Sequence, residues 1–205
     1  MRVLMVGLDN AGKTTAVRRL KQGSPAAGAA AAADDDISPT LGFSICSLAR
    51  RGRKLNVWDV GGQRSLRPYW RNYFERTDGL VWVVDSSDLA RLKDAAAELR
   101  TLLGEERLAG ATLLVLANKQ DVAGALKLDE ISRALGLVVG AAEEDKGEGP
   151  EDGSAPSSSS SLVGAIGKRR HWRVAACSAR TGEGLEEAFD WIVDDVASRI
   201  YMFDD

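Results

Sequence analysis

The sequence predicts an α/β fold, a mostly parallel sheet covered by helices on both faces. Three observations carry it. Short continuous apolar runs recur along the chain, at Val3–Val6, Leu80–Val84 and Leu113–Ala117, as expected of strands buried on both faces. Segments with apolar residues at helical spacing separate them. Two strand-like segments flank the polar turn Arg50-Arg51-Gly52-Arg53 and read as a hairpin.

The elements follow in order. Val3–Val6 is a buried strand, and Lys13 to about Lys21 is helical. Phe43–Leu48 and Leu55–Val60 are the hairpin strands. Leu80–Val84 is a strand ending at Asp85. Leu89–Leu103 reads as one amphipathic helix with Leu92, Leu99, Leu102 and Leu103 on one side. Leu113–Ala117 is the next strand, and Leu128, Ile131 and Leu135 have helical spacing. Trp172–Ala176 is the last strand. Leu185, Phe189, Ile192, Val193, Val196 and Ile200 form the apolar stripe of a C-terminal helix. Ligands of such sheets bind at the carboxyl ends of the strands.

Composition narrows the function classes. The 205 residues carry a net charge of −3 and a pI of about 5.4, which argues against nucleic-acid binding by bulk charge. No run has the roughly 18 uncharged apolar residues of a membrane span, and no signal peptide is evident. Two cysteines, Cys46 and Cys177, and one histidine make neither a disulfide framework nor a zinc site. A soluble, cytoplasmic, monomeric protein is expected. Residues 22–36 are Ala/Gly-rich with an acidic end, and residues 140–167 combine an acidic Gly-rich run with five serines. Both read as flexible insertions in surface loops of a single domain spanning 1–205.

The motifs fall at the predicted strand ends. Gly7-Leu-Asp-Asn-Ala-Gly-Lys-Thr14 fits G-x-x-x-x-G-K-[ST] between a strand and a helix, the setting of a P-loop. Gly7, Asp9, Asn10, Ala11, Gly12, Lys13, Thr14 and Thr15 are therefore candidate phosphate-cradle residues. Lys13 reaches the β- and γ-phosphates, and the Thr14 hydroxyl binds Mg²⁺. Asn118-Lys119-Gln120-Asp121 matches the guanine-reading pattern N-K-x-D. A carboxylate at Asp121 accepts from both the ring N–H and the exocyclic amino group of guanine, and adenine offers the wrong pattern. Lys119 lies along the base, and Asn118 ties this loop to the P-loop. Cys177-Ser178-Ala179 matches the motif whose backbone N–H reaches the guanine oxygen, which makes Ser178 and Ala179 candidates. Trp58-Asp59-Val60-Gly61-Gly62-Gln63 handles the γ-phosphate: Asp59 holds Mg²⁺ through water, Gly62 offers its N–H, and Gln63 orients the attacking water. Thr40 binds Mg²⁺ when the γ-phosphate is present.

These motifs resemble those of the Ras superfamily. More narrowly they resemble the ADP-ribosylation factor family, through Gly7–Thr15, Trp58–Gln63 and Tyr69-Trp-Arg-Asn-Tyr-Phe74. The resemblance covers nearly all of the chain outside the two insertions. It implies a Ras-like P-loop NTPase, a three-layer sandwich whose six-stranded, mostly parallel sheet has one antiparallel edge hairpin. It also implies a Mg²⁺-dependent GTPase with GTP and GDP as ligands, an exchange factor, a GTPase-activating protein and effectors. Ile37–Phe43, Glu105–Leu114 and Asp194–Ile200 look most like a subgroup associated with tubulin-folding cofactors, microtubules and carriers of lipidated cargo. The alternative function is a module that holds GTP or GDP and sequesters a partner with negligible hydrolysis. A P-loop kinase or ATPase is disfavoured by Asn118–Asp121.

Departures from the family pattern add expectations. The family usually starts with an amphipathic helix, often with a glycine after the initiator for myristoylation. Here Arg2 stands second and Met1 falls almost on the strand, so the helix is lost or the start is truncated. Asp9 occupies a loop position where many small GTPases carry glycine, which implies slow intrinsic hydrolysis helped by a partner. Arg50, Arg51 and Arg53 read as a solvated turn, and His171 as a surface residue. Trp70 and Tyr73 suit the core or an effector surface equally.

Overall fold

The computed structural model describes residues 1–23, 40, 42–137 and 170–200, with the backbone alone for Ile200. Among them, six strands form one sheet: β1 (Arg2–Val6), β2 (Phe43–Arg50), β3 (Arg53–Val60), β4 (Gly79–Asp85), β5 (Thr112–Asn118) and β6 (Trp172–Ala176). Four described α-helices pack on it: α1 (Lys13–Gln22), α2 (Leu92–Leu103), α3 (Leu128–Ala134) and α4 (Leu185–Ile200). The strand order is β2-β3-β1-β4-β5-β6. Only β2 runs antiparallel to its neighbour.

Successive strand residues point to opposite faces, so a continuous apolar strand feeds two cores. In β4, Leu80, Trp82 and Val84 join Leu99 of α2 and Ile131 of α3. Val81 and Val83 join Val17 of α1 and Phe189 and Ile192 of α4. These side chains are almost wholly buried. Each fully buried one contributes about 1.5–3 kcal/mol relative to exposure. The result is the three-layer sandwich that the sequence predicts.

The hairpin closes with Arg50 opposite Arg53 around Arg51 (φ 49°) and Gly52 (φ 70°). Two left-handed residues match the twist of the flanking strands. The turn is not merely solvated. Arg50 Nε lies 2.8 Å from Asp190 Oδ1, and a second nitrogen lies 3.5 Å from Glu186 Oε2. Arg51 reaches Asp190 at 3.4 Å and Asp194 at 3.6 Å. The hairpin tip is thereby tied to the acidic face of α4, which no local pattern reveals.

Two other expectations change. The helix expected over Leu89–Leu103 begins as a 3-10 turn, Leu89–Arg91, and α2 starts only at Leu92. Asp88 causes this, because its Oδ1 caps the Arg91 N–H at 3.1 Å. Gln22, assigned to the first insertion, belongs to α1, which stops at Gly23 (φ 78°). The rest of that insertion, 24–36, and all of 140–167 lie outside the described residues. A 3-10 segment, Arg67–Tyr73, was not foreseen. It buries Trp70, whose Nε1 donates to Gly61 O at 2.9 Å and whose ring meets Trp82 edge-on. Trp70 is therefore core. Tyr73 packs instead with Phe43 and Trp58, and Phe43 is 49% exposed. His171 is a surface residue 2.8 Å from Asp195.

Candidate functional site

A cavity of about 510 Å³ opens at the carboxyl ends of the strands. Its size is that of a small-ligand site. One wall is Asp9, Asn10 and Gly12, between β1 and α1, with Lys13, Thr14 and Thr15 of the first turn of α1. A second is Thr40 with Gly61, Gly62 and Gln63 after β3. The third is Asn118 at the end of β5, Lys119, Asp121 and Val122 after it, and Ala179 and Arg180 after β6. Four expected residues stand one layer behind the wall: Gly7, Ala11, Asp59 and Ser178. Val122 and Arg180 are on it without having been singled out by any motif.

The first wall is built for an anion. Gly12 caps α1 with φ 95°, and no side chain caps the helix, so its first N–H groups face the cavity. Any Cβ at Gly12 would overlap Asn118 Nδ2. Lys13 is buried, and its Nζ donates to Gly7 O at 3.0 Å and Leu8 O at 2.7 Å. Burial lowers its pKa to about 8, with the Asp59 and Asp9 charges opposing the shift. A polyanion in the cavity would supply the counter-charge this ammonium lacks.

The second wall collects hard oxygen donors. Thr14 Oγ1 donates to Asp59 Oδ2 at 2.7 Å and lies 2.8 Å from Thr40 Oγ1. Thr14 has one hydroxyl hydrogen, so Thr40 is the donor in the second bond. Asp59 is 2% exposed, and its Oδ1 is buried with no hydrogen-bond partner. Burial raises its carboxyl above the usual range, opposed first by the Thr14 bond and then by Lys13 and Arg18. Two hydroxyls and a carboxylate with an orphaned oxygen fit a hard divalent cation such as Mg²⁺. Gly62 presses so close to the P-loop that a Cβ on it would overlap Gly7 O and Asp9 N.

The third wall is a hydrogen-bonded frame. Asn118 Nδ2 donates to Ala11 O at 2.7 Å, and Asn118 Oδ1 accepts from Ala179 N at 2.8 Å. Ser178 Oγ donates to Asp121 Oδ1 at 2.6 Å, fixing that carboxylate. Lys119 Nζ lies 2.6 Å from Asp85 Oδ2, and that ammonium helps hold the Asp85 carboxyl below its usual range against burial. The N–H groups of the Cys177–Ala179 motif are all engaged internally, with Ala117 O, Glu183 O and Asn118 Oδ1. The motif thereby orders Asn118 and Asp121.

Asp9 also differs from expectation. Its carboxylate does not stand alone beside the phosphate cradle. It lies 3.1 Å from Arg91 and 3.7 Å from Arg67. Neither arginine belongs to a motif, and Arg91 is 82 positions away in sequence, so no spacing rule points to either.

The chain is similar to known proteins over most of its length. The profile of the ADP-ribosylation factor family matches residues 1–196. ADP-ribosylation factor-like protein 2 of Arabidopsis thaliana is 52% identical over 204 residues, 100% of this chain and 91% of that protein. Its Drosophila melanogaster namesake is 50% identical with the same coverage. ADP-ribosylation factor-like protein 3 of Chlamydomonas reinhardtii is 42% identical over 195 residues, 95% of this chain and 90% of that protein. Among solved structures, the Arl6 BBS3 small GTPase from Trypanosoma brucei, with bound nucleotide analogue GppNp, matches with a TM-score of 0.73 at 26% identity. That match covers 97% of this chain and 98% of the other.

Proposed function

The chain belongs to the ADP-ribosylation factor family and is a small GTPase, a GTP-binding switch, and we propose that its cavity binds GTP and GDP with Mg²⁺ and hydrolyses GTP to GDP and phosphate. One observation carries the reading: a buried ammonium, a three-oxygen cation cradle and a framed carboxylate line one cavity or stand directly behind its wall.

Each residue has a role. The amides of the P-loop, Gly7 to Thr15, cradle the phosphates, and Lys13 neutralises the β- and γ-phosphate oxygens. Thr14, Thr40 and Asp59 would hold Mg²⁺, which when bound offsets charge on the β- and γ-phosphates. Asp121 reads guanine with both oxygens of the carboxylate that Ser178 holds in place, each oxygen keeping a free lone pair. Lys119 covers the base, and Asn118 and Ala179 lock the two halves of the site together. The Gly62 N–H meets the γ-phosphate, and Gln63 orients the attacking water.

Intrinsic hydrolysis is slow. Arg67 and Arg91, described arginines near the phosphate end, are held in ion pairs with Asp9. An activating protein therefore supplies the missing charge in trans, worth about 10³–10⁵ in rate. The protein acts as a cytoplasmic monomer with one domain over 1–205. By its likeness to ADP-ribosylation factor-like protein 2, its effectors are a tubulin-folding cofactor or a carrier of lipidated cargo. The partly exposed Phe43–Trp58–Tyr73 group beside the second wall supports such docking.

Single-turnover phosphate release from Mg²⁺-GTP, with and without an activating protein, tests the reading. Release that is stimulated by the activator and lost in Gln63→Leu, with GDP affinity unchanged, is expected. Tight GTP binding with no release under either condition would instead make the chain a partner-sequestering module.

A further inference from the structure

Arg67 holds the Gly62–Gln63 segment from two directions. Its main-chain N–H donates to Gln63 O at 3.2 Å, and its Nε donates to Gly62 O at 3.1 Å. The rest of the guanidinium is anchored elsewhere. Nη1 donates to Glu98 Oε1 on α2 at 2.9 Å, and Nη2 lies 3.7 Å from Asp9 Oδ1 in the P-loop. The side chain is 14% exposed, so these contacts are poorly screened. The P-loop anchor is itself fixed. Arg91 donates to Asp9 Oδ2 at 3.1 Å and to Asp9 O at 3.3 Å, and its Nε bonds Asp88 at 2.6 Å.

One planar fork thus joins the segment after β3, the P-loop and α2. A lysine has no such set of donors in fixed relative directions. We propose that Arg67 is a positioning residue for GTP hydrolysis, holding Gly62 and Gln63 over the phosphate end of the cavity against Glu98 and Asp9. The inference rests on the GTPase reading given above. Arg67 is not on the cavity wall, so it touches no nucleotide and acts through Gly62 and Gln63. Turnover depends on it, and GDP binding, carried by the P-loop and the base frame, does not.

The test uses the full chain with Mg²⁺. It measures single-turnover GTP hydrolysis and GDP affinity in the parent, Arg67→Ala, Glu98→Gln and a control, Arg71→Ala. Arg71 is exposed on the same 3-10 segment. Arg67→Ala slows hydrolysis by about tenfold or more, because small misplacements at a reacting centre cost up to about a hundredfold. GDP affinity stays within about threefold, because the contacts that hold GDP are untouched. Glu98→Gln acts in the same direction but less, and Arg71→Ala matches the parent. In a Gln63→Leu background Arg67→Ala adds no further slowing, because residues acting as a unit are not additive. Parent-like hydrolysis in Arg67→Ala, a parallel loss of GDP affinity, or additive losses with Gln63→Leu would each overturn the proposal. A parent that neither binds GDP nor hydrolyses GTP would instead remove the GTPase reading itself.

Discussion

Asn118 Nδ2 donates to Ala11 O at 2.7 Å, so one buried amide on β5 closes the P-loop against the base side of the cavity. Its other atom, Oδ1, takes the Ala179 N–H. A single side chain therefore keeps three sequence-distant loops in register.

Asn118→Ala leaves the Ala11 carbonyl and the Ala179 amide unpaired and buried, at about 1–3 kcal/mol each. Urea unfolding of the nucleotide-free protein should show a loss of about 2–4 kcal/mol. GDP titration should show weaker binding. A stability change well under 1 kcal/mol would mean that water replaces this bridge.

Gly62 has no room for a side chain against Gly7 and Asp9. Gly62→Ala therefore pushes the segment off the P-loop and displaces the N–H that we propose meets the γ-phosphate. Loss of one such preorganised donor costs about 10²–10³ in rate. Stopped-flow phosphate release should fall by about that factor, with GDP affinity nearly unchanged. Parent-like hydrolysis would remove Gly62 from the γ-phosphate site.

The clasp between the hairpin tip and α4 makes a stability prediction. Arg50 pairs with Asp190 and Glu186 from a largely buried position. Arg50→Ala should cost about 1–2 kcal/mol, more than the usual exposed ion pair. Arg51, 56% exposed at its side chain, should matter less. Denaturation at low and at molar salt checks both, because screening should shrink the Arg50 effect.

The two thiols should separate cleanly. Cys177 is buried, and burial, with a smaller push from the Asp121 charge, raises its pKa from 9.0 to about 12. A raised thiol pKa favours the protonated folded state. Its stabilising contribution is complete below pH 9 and is lost as pH rises through 12. At pH 8 a thiol reagent should modify Cys46, half-buried on β2, and reach Cys177 only in denaturant. Fast labelling of Cys177 in the native protein would contradict its burial.

Local chemistry made most of this molecule legible in sequence. Continuous apolar strands mark a sheet buried on both faces, and Gly12-Lys13-Thr14 and Asn118–Asp121 are short-range patterns whose geometry is set by a strand end and a turn. What stayed hidden is non-local. The pairing of Asp9 with Arg67 and Arg91, and of Arg50 with Asp190, depends on packing between elements far apart in the chain. The 3-10 segment at Arg67–Tyr73 forms because Trp70 finds Gly61 O and Trp82, partners that no window around it contains. The delayed start of α2 turns on one cap, Asp88, which periodicity does not weigh.

The central claim is that this cavity reads guanine through Asp121. Competitive titration of a fluorescent guanine nucleotide with GDP, ADP and xanthosine diphosphate, on the parent and on Asp121→Asn, tests it most directly. Two charge-assisted hydrogen bonds at about 1.5–3 kcal/mol each predict that the parent prefers GDP over ADP by about 10²–10⁴. Asp121→Asn should lose that affinity for GDP and gain it for xanthosine diphosphate. A parent that binds ADP as tightly as GDP, or a variant that keeps the parent's GDP affinity, would contradict the account.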